Sequence, residues 1–371
     1  MNLSSLLYKY LRQQKEIPFA DFMQFALYHP GAGYYSAGLE KFGAEGDFIT
    51  APELTPLYGQ ALANQCQQLL PLLSEPILFE FGAGSGRLCV DLLKRLEQLG
   101  CLPTGYHILE VSSSLQVRQQ ALINEEISHL AHLVHWLDRW PEKSFNGVVI
   151  ANEVLDAMPV HRFLKTDEGL LESYISVNEQ TNELSETFKS VVNPRLLAYL
   201  DKILPTLPVP YQSEVNLFIE GWIKQVAAML DQGAIILIDY GFPRHEYYHP
   251  DRCHGTLMCH YKHQAHTNFL TNLGEQDITA HVDFTQVAEA AVAAKLHVAG
   301  YTNQAAFLLA NDLLGLLEGI KDERAYMQAT QAVKKLTLPN EMGELFKVMG
   351  LTKNLDVFLT GFQLQDKRAS L

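Results

Sequence analysis

Three closely spaced glycines follow a short apolar run in the first third of the chain. The run Ile77–Phe81 is typical of a buried β-strand, and Gly82, Gly84 and Gly86 come directly after it. Glycine lets the backbone approach a bound molecule where any Cβ atom would collide, and it adopts positive φ without steric cost. Leucines at helical spacing follow and predict a helix whose amino end faces that molecule. The pattern indicates either a cofactor cradle or only a tight strand-to-helix connection.

The spacing of the glycines decides which cofactor is expected. Dinucleotide sites follow G-x-G-x-x-G, whereas this turn reads G-x-G-x-G and has Arg87 where the last glycine or an alanine is expected. Glu80 lies just before the turn, and Glu110 ends the next apolar run. The Glu110 carboxylate can accept both hydroxyls of a ribose, and Glu80 can meet a cationic group. These features favour S-adenosylmethionine, which carries both a ribose diol and a cationic end.

A second group of polar residues follows the apolar run 147–151. Asn152, Glu153 and Asp156 come at the end of this predicted strand, and open α/β folds bind ligands at the carboxyl edge of the sheet. Carboxylates there can hold a cationic nucleophile, and in-line methyl transfer depends mainly on positioning and electrostatics. We expect Asn152 to contact the cofactor, and Glu153 and Asp156 to be catalytic. The alternative for Asp156 is a cap or turn ahead of Pro159.

Asp239 follows the apolar run 234–238 and brings another carboxylate to the same edge of the sheet. We therefore include Asp239 among the candidate catalytic residues. Glu214 is a weaker candidate, because a glutamate in the first turn of a predicted helix is ordinary complementarity to the helix dipole.

The stretch 253–266 is rich in histidine and cysteine, and His281 lies beyond it. Its spacing does not match a common zinc site, so we expect no metal. Solvated or hydrogen-bonded loop histidines are the simpler interpretation, and one of them could serve as a proton acceptor.

Apolar runs that alternate with helical stretches surround these candidates. This alternation is the signature of a parallel α/β sheet. The predicted strands are 77–81, 106–110, 132–136, 147–151, 234–240, 345–349 and 356–362. Short strands between Val160 and Gln212 indicate an inserted hairpin and linker, and helices are expected over about 284–336.

The length of 371 residues exceeds that of a usual single core, so we expect an α/β core with a further lobe or large insertions. We assign residues 1–70 to an N-terminal helical region and residues 71–371 to the cofactor-binding core. The core has insertions at about 160–212 and 241–336. In the N-terminal region, the loop 43–53 is either a capped surface loop or a lid that closes over cofactor and substrate.

Composition and charge make several function classes less favourable. Hydrophobic residues make up 47% and charged residues 19%, as in ordinary soluble proteins, and the formal net charge of −14 disfavours nucleic acid as a partner. No apolar run has the length of a membrane span or a signal peptide. Five scattered cysteines predict free thiols in a reducing compartment. We therefore expect a cytoplasmic protein that does not contact a membrane.

Seven short motifs are spread over most of the chain. They are Tyr28-His-Pro-x-x-Gly-Tyr-Tyr35, Gly46-Asp-Phe-x-Thr-Ala-Pro-Glu53, Glu80-x-Gly-x-Gly-x-Gly86, Asn152-Glu-x-x-Asp-Ala-x-Pro159, Ile238-Asp-Tyr-Gly241, Gly255-Thr-Leu257 and Asp277-Ile-Thr-Ala-His-Val-Asp283. Together they resemble the MidA-type methyltransferases, which are bacterial relatives of the mitochondrial arginine methyltransferase that acts in complex I assembly. Later matches at Gln304, Phe307-Leu308, Met342-Gly and Phe346-Lys-Val348 extend the resemblance over nearly the whole chain.

The resemblance implies a class I S-adenosylmethionine-dependent methyltransferase fold, a Rossmann-like sheet with the N-terminal helical region and the inserted lobe. It carries cofactor binding over to Gly82, Gly84, Gly86 and Glu110. The mitochondrial relatives symmetrically dimethylate arginine on a complex I subunit, so a protein substrate with an accessible arginine is implied here. We expect no mitochondrial targeting segment, and the sequence does not match the paired-glutamate hairpin of the better-known arginine methyltransferases. Guanidinium recognition by Glu153 and Asp156 is therefore our hypothesis.

Other functions fit some of the same residues. A small-molecule methyltransferase would place a labelled methyl group in a low-mass product. A cofactor-binding assembly chaperone would bind S-adenosylmethionine and a partner without turnover. A nicotinamide-dependent dehydrogenase is disfavoured by the glycine spacing.

Overall fold

The computed structural model describes residues 2–36, 50–178 and 180–371. Its α-helices are Leu3–Gln14, Phe19–Tyr28, Ala51–Leu54, Pro56–Leu69, Arg87–Gln98, Ser113–Ile127, Pro194–Ile203, Ile219–Met229, Arg244–Tyr247, Phe284–Ala293, Gln304–Ala310, Leu313–Glu318, Glu323–Thr337 and Met342–Leu345. Short 3-10 helices are Leu70–Leu72, Ser128–Leu133, Leu204–Thr206, Pro250–Arg252, Thr360–Phe362 and Arg368–Ser370. Among the described residues, no helix is long and apolar enough to cross a membrane. The predicted lid over 43–53 lies outside the described residues as far as position 49.

An eight-stranded sheet forms the centre of the molecule. Its seven longer strands are β1 (Ile77–Phe81), β2 (Gly105–Leu109), β3 (Val134–Leu137), β4 (Phe145–Asn152), β5 (Leu230–Phe242), β6 (His297–Asn303) and β7 (Phe346–Lys353). The strand order is β6-β7-β5-β4-β1-β2-β3, and the two-residue strand Val282–Asp283 pairs with the end of β5. In the described sheet, β7 runs in the opposite direction to the other six longer strands and pairs antiparallel with both β5 and β6. The predicted α/β fold is confirmed, with a mixed rather than a purely parallel sheet.

Side chains of the central strands alternate between two apolar layers. Leu78 and Val148 pack in one layer with the helices Pro56–Leu69 and Arg87–Gln98. Phe79 and Val149 pack in the other layer with the helix Ile219–Met229. Each large apolar side chain that is fully buried in this way stabilises the fold by about 1.5–3 kcal/mol. Strands buried on both faces need apolar residues at every position, which is why they were visible as continuous runs in the sequence.

Two smaller sheets are attached to this core. The first is antiparallel and consists of Glu16–Pro18, His161–Thr166, Gly169–Val177, Leu184–Ser190 and Tyr211–Val215. The second consists of Met258–Tyr261, Gln264–His266 and Asp277–Thr279. The hairpin predicted after Val160 is confirmed by the first sheet. The N–H of Ala280 donates to the carbonyl of Asp156 at 3.0 Å, which ties the second sheet to the turn after β4.

Three local predictions are wrong. The segment 356–362 forms no strand: it ends in a 3-10 helix, and Phe362 is buried in the core instead. Strand β6 lies within 284–336, where helices were predicted, because pairing with β7 overrides the local pattern. Glu214 lies in the strand Tyr211–Val215, and not in the first turn of a helix.

Candidate functional site

A cavity of about 330 Å³ opens at the carboxyl edge of the central sheet, above the ends of β1, β2 and β4. The strand order reverses between β1 and β4, and this reversal point is where open α/β sheets bind ligands. Predicted site residues that line the cavity are Glu80, Gly82, Gly84, Glu110, Asn152, Glu153 and Asp156. Gly86 and Asp239 do not line it, although both lie in the described part of the chain.

The glycine turn forms the floor of the cavity. Gly82 and Gly84 have φ of +60° and +54°, and a Cβ atom added to either would meet no other atom of the described chain within 4 Å. The turn is therefore a cradle whose free space lies where a ligand would contact the backbone. Gly86 has φ of +91° and precedes the first residue of the helix Arg87–Gln98, and its missing Cβ would touch Gln119. Gly86 therefore serves the packing of this helix.

Glu110 lies directly after β2 and is buried beside the glycine turn. One carboxylate oxygen accepts from the Ser112 N–H at 2.9 Å, and the other accepts from Gln119 Nε2 at 3.1 Å. The same Gln119 nitrogen donates to the Gly84 carbonyl at 3.0 Å, and Trp136 donates to the Gln119 side-chain oxygen at 2.8 Å. This network fixes the Glu110 carboxylate relative to the cradle, where it can accept ribose hydroxyls.

Glu80 lies in β1, two residues before the cradle, and is 3% exposed. The Tyr106 hydroxyl donates to its carboxylate at 2.6 Å. Burial raises the pKa of Glu80 to about 7, although the Tyr106 hydrogen bond opposes this rise. A cationic ligand next to Glu80 would lower this pKa again and keep the carboxylate ionised.

Asn152 and Glu153 stand at the end of β4, on the far side of the cradle. The Tyr58 hydroxyl donates to Asn152 Oδ1 at 2.6 Å, and Asn152 Nδ2 donates to Glu153 Oε1 at 3.1 Å. Glu153 has φ of +54°, a conformation that costs a residue with a side chain about 1–2 kcal/mol. The Glu153 N–H donates to the Ile238 carbonyl at 2.9 Å, so neighbouring strand β5 holds this strained backbone in place.

The carboxyl groups of Glu153, Asp156 and Asp239 lie close together at this turn, and their pKa values are raised. Burial, the Coulomb repulsion of Asp156 and that of Asp277 raise the pKa of Glu153 to about 8, although hydrogen bonds oppose the rise. Burial also raises the pKa of Asp156 to about 6, against a hydrogen bond from Tyr240. Asp239 is buried, and its pKa lies well above the usual range because of burial and repulsion from Asp156 and Glu153. Perturbed carboxyl groups in a cleft are typical of functional sites.

Two tyrosines from the N-terminal region line the cavity beside Ala157 and Asp277. The rings of Tyr28 and Tyr35 stack with centroids 5.5 Å apart. The Tyr28 hydroxyl donates to the Ala157 carbonyl at 3.0 Å, and the Tyr35 hydroxyl donates to both Asp277 oxygens at 3.0 and 3.1 Å. Asp277 also lines the cavity. Elements outside the central sheet therefore build this wall.

The His/Cys-rich stretch does not gather around the cavity. Throughout the described ranges, no three or more His, Cys, Asp or Glu side chains are grouped so that they could hold a metal ion. His281 is stacked on Phe242 with ring centroids 5.4 Å apart, and burial lowers its pKa to about 4. A neutral, packed His281 is consistent with a structural role.

Comparison with known protein families gives a match over residues 61–302 to a family described as S-adenosyl-L-methionine-dependent methyltransferase. The chain belongs to this family. S-adenosylmethionine is its cofactor, and the cradle, Glu110 and the cavity provide the space and acceptors that such a ligand requires. The predicted class I methyltransferase fold is confirmed by the solved structures of this type.

Solved and curated relatives agree with this assignment. A likely methyl transfer enzyme from Burkholderia thailandensis, solved with bound S-adenosyl-homocysteine, is 40% identical, with a TM-score of 0.95 over 100% of this chain and 96% of that one. The mitochondrial protein arginine methyltransferases NDUFAF7 of Rattus norvegicus and Homo sapiens are each 26% identical. They align with 94% of this chain, which covers 84% and 82% of their lengths. The cytoplasmic location of this methyltransferase stays a prediction.

Several residues at the site were not predicted to act there. Tyr28, Tyr35 and Asp277 belong to motifs that carried the resemblance, but no role was predicted for them. Tyr58 lies within an ordinary amphipathic helix, and nothing in its local pattern indicates that it contacts Asn152. A local sequence pattern cannot indicate such contacts, because the two partners of each contact are 94 to 242 residues apart.

Proposed function

We propose that this methyltransferase transfers a methyl group to a guanidino nitrogen of arginine in a protein substrate. The observation that supports this most is Asp156, which is buried, lines the cavity and has one carboxylate oxygen, Oδ1, without a hydrogen-bond partner among the described residues. A buried acceptor without a donor costs about 1–3 kcal/mol, and a bound cationic donor removes that cost. The mitochondrial relatives are named as protein arginine methyltransferases, which agrees with the proposal.

The charge at the acceptor end also favours a cation. Glu153 and Asp156 form no ion pair with any lysine or arginine of the described ranges. The planar guanidinium presents five N–H donors in a fork that matches carboxylate oxygens, so one group can serve both residues. Its positive charge would lower the pKa of Glu153 from about 8 and favour the ionised carboxylate.

The chemistry follows from these contacts. Bound S-adenosylmethionine supplies a methyl group on a sulfonium sulfur. Glu153 and Asp156 orient the guanidinium so that one nitrogen points along the axis of displacement. The nitrogen forms a bond to the methyl carbon as the carbon–sulfur bond breaks, and Glu153 accepts the proton that this nitrogen loses. The products are methylarginine and S-adenosylhomocysteine, and no covalent enzyme intermediate is required.

A labelling experiment tests the proposal. Purified protein, S-adenosylmethionine with a labelled methyl group and a cell lysate should yield labelled protein, and acid hydrolysis should release methylarginine. The variant Glu153→Gln should still bind S-adenosylhomocysteine in a calorimetric titration but lose the transfer, whereas Glu168→Gln, at an exposed turn, should behave as wild type. Label in a low-mass product would favour the small-molecule alternative. Cofactor binding with no transfer at all would favour the chaperone.

A further inference from the structure

A short helix from the N-terminal region lies against the glycine turn. Thr50 precedes this helix, Ala51–Leu54, and Pro52 lies in its first turn. The Ser85 hydroxyl, inside the glycine turn, donates a short hydrogen bond to the Glu53 carboxylate. Glu53 and Ser85 both line the cavity. The carboxylate is thus held at the edge of the cradle, on the side away from Glu110.

The cations near Glu53 form their ion pairs with other carboxylates. Arg87 forms a two-point contact with Glu126, with distances of 3.0 and 2.5 Å, and lies 3.8 Å from Asp91. Lys94 contacts the same glutamate at 2.6 Å. No lysine or arginine within residues 2–36, 50–178 and 180–371 forms an ion pair with Glu53. The cavity therefore has a carboxylate at this edge that can accept hydrogen bonds from a cation.

The cofactor has a group that matches this carboxylate. Its amino-acid arm ends in an α-ammonium and a carboxylate, and the arm leaves the ribose at the side opposite to the hydroxyls. Gln119 links Glu110 to Gly84, and the next residue, Ser85, holds Glu53, so an arm that leaves a ribose bound at Glu110 would have Ser85 and Glu53 within the same cavity. An ammonium donates charge-assisted hydrogen bonds, which are about twice as strong as neutral ones. We infer that Glu53 binds the α-ammonium group of the cofactor and that Ser85 holds Glu53 in position.

A pair of ligands that differ in this arm tests the inference. S-adenosylhomocysteine has the amino-acid arm, whereas 5′-methylthioadenosine has the same adenosine and sulfur but no arm. In calorimetric titrations, Glu53→Gln should raise the Kd of S-adenosylhomocysteine by about tenfold or more. The Kd of 5′-methylthioadenosine should stay within about twofold of the wild-type value, because this ligand has no ammonium group.

Two further variants complete the design. Ser85→Ala keeps the Glu53 side chain but removes the hydroxyl group that donates to its carboxylate. This variant should weaken S-adenosylhomocysteine binding by a smaller factor than Glu53→Gln and leave the Kd of 5′-methylthioadenosine unchanged. Glu168→Gln should change neither Kd. An unchanged Kd for S-adenosylhomocysteine in Glu53→Gln would overturn the inference. So would an equal loss for both ligands, which would mean that Glu53 only shapes the cradle. None of these measurements depends on the methyl acceptor.

Discussion

The Asp239 carboxylate accepts a hydrogen bond from the backbone N–H of Leu155 at 2.9 Å. The same oxygen accepts from the N–H groups of Val154 and Asp156, each at 3.2 Å, and the second oxygen accepts from the N–H of Tyr240 at 2.9 Å. Asp239 thus binds the turn that carries Glu153 and Asp156, and it does not line the cavity. We propose that Asp239 is a positioning residue for this turn.

Replacing Asp239 should therefore damage both the turn and the fold. Both oxygens of Asp239 accept hydrogen bonds from backbone N–H groups. In Asp239→Asn one oxygen is replaced by an NH₂ group, which is a donor and cannot accept these hydrogen bonds. The free energy of unfolding should therefore fall by about 1–3 kcal/mol. Urea denaturation measures this loss. The control Asp201→Asn changes an exposed aspartate on the helix Pro194–Ile203 and should have little effect. Equal midpoints for the two variants would contradict the role given to Asp239.

Gly84 and Gly100 form a matched pair for testing the cradle. Both have positive φ, +54° and +64°, and an added Cβ would find open space in the described chain at either position. Substitution by alanine should cost about 1–2 kcal/mol of stability in each case. Gly84→Ala should also raise the Kd of S-adenosylhomocysteine by at least about tenfold, because the methyl group occupies the ligand's space, whereas Gly100→Ala should not. Similar calorimetric Kd values for both variants would argue against the cradle.

The stability of the ligand-free protein should depend on pH through Glu153. Its pKa is near 4.5 in the unfolded chain. In the folded protein, burial and the charges of Asp156 and Asp277 raise this pKa to about 8. Between these values the folded state retains a proton that the unfolded chain has released, so the free energy of unfolding falls as the pH rises. In Glu153→Gln this position is neutral at every pH, and the fall should be smaller.

Urea midpoints of wild type, Glu153→Gln and Glu168→Gln at pH 5, 6, 7 and 8 measure this dependence. Glu168→Gln should follow the wild-type curve, because this exposed side chain has no partner to gain or lose on folding. Parallel curves for wild type and Glu153→Gln would mean that Glu153 ionises normally in the folded protein. Asp156 and Glu80, with pKa values of about 6 and about 7, contribute to the fall that remains, together with other buried carboxyl groups such as Asp91.

Tyr35→Phe should separate acceptor binding from cofactor binding. The substitution removes the O–H that donates to Asp277 and keeps the ring that stacks on Tyr28. Losing this charge-assisted hydrogen bond should reduce the initial rate of methyl transfer to protein about fivefold or more, with the Kd of S-adenosylhomocysteine unchanged. Tyr326→Phe, at an exposed helical position, provides the control. A change in cofactor affinity alone would assign Tyr35 to the cofactor and not to the acceptor.

Much of the cofactor end of the site could be predicted because its determinants are local. The glycine turn, the strand before it and the helix after it occupy one short stretch, and Ser112 caps the next helix as its residue type predicts. Strand β6 could not be predicted, because its conformation depends on pairing with β7, which lies more than forty residues later. The contact between Glu53 and Ser85 spans 32 residues and two elements, so no local pattern indicates it.

The sequence by itself determined the α/β class, the glycine cradle, the cofactor and the polar residues at the strand ends. Backbone conformation and apolar periodicity depend on near neighbours, so they are readable along the chain. Only the tertiary structure distinguished the two aspartates: Asp156 lines the cavity and has one oxygen without a partner in the described ranges, whereas Asp239 turns inward to four backbone N–H groups. Two aspartates at the same edge have the same local chemistry. Packing gives both oxygens of Asp239 backbone donors, whereas it leaves Oδ1 of Asp156 without a partner among the described residues.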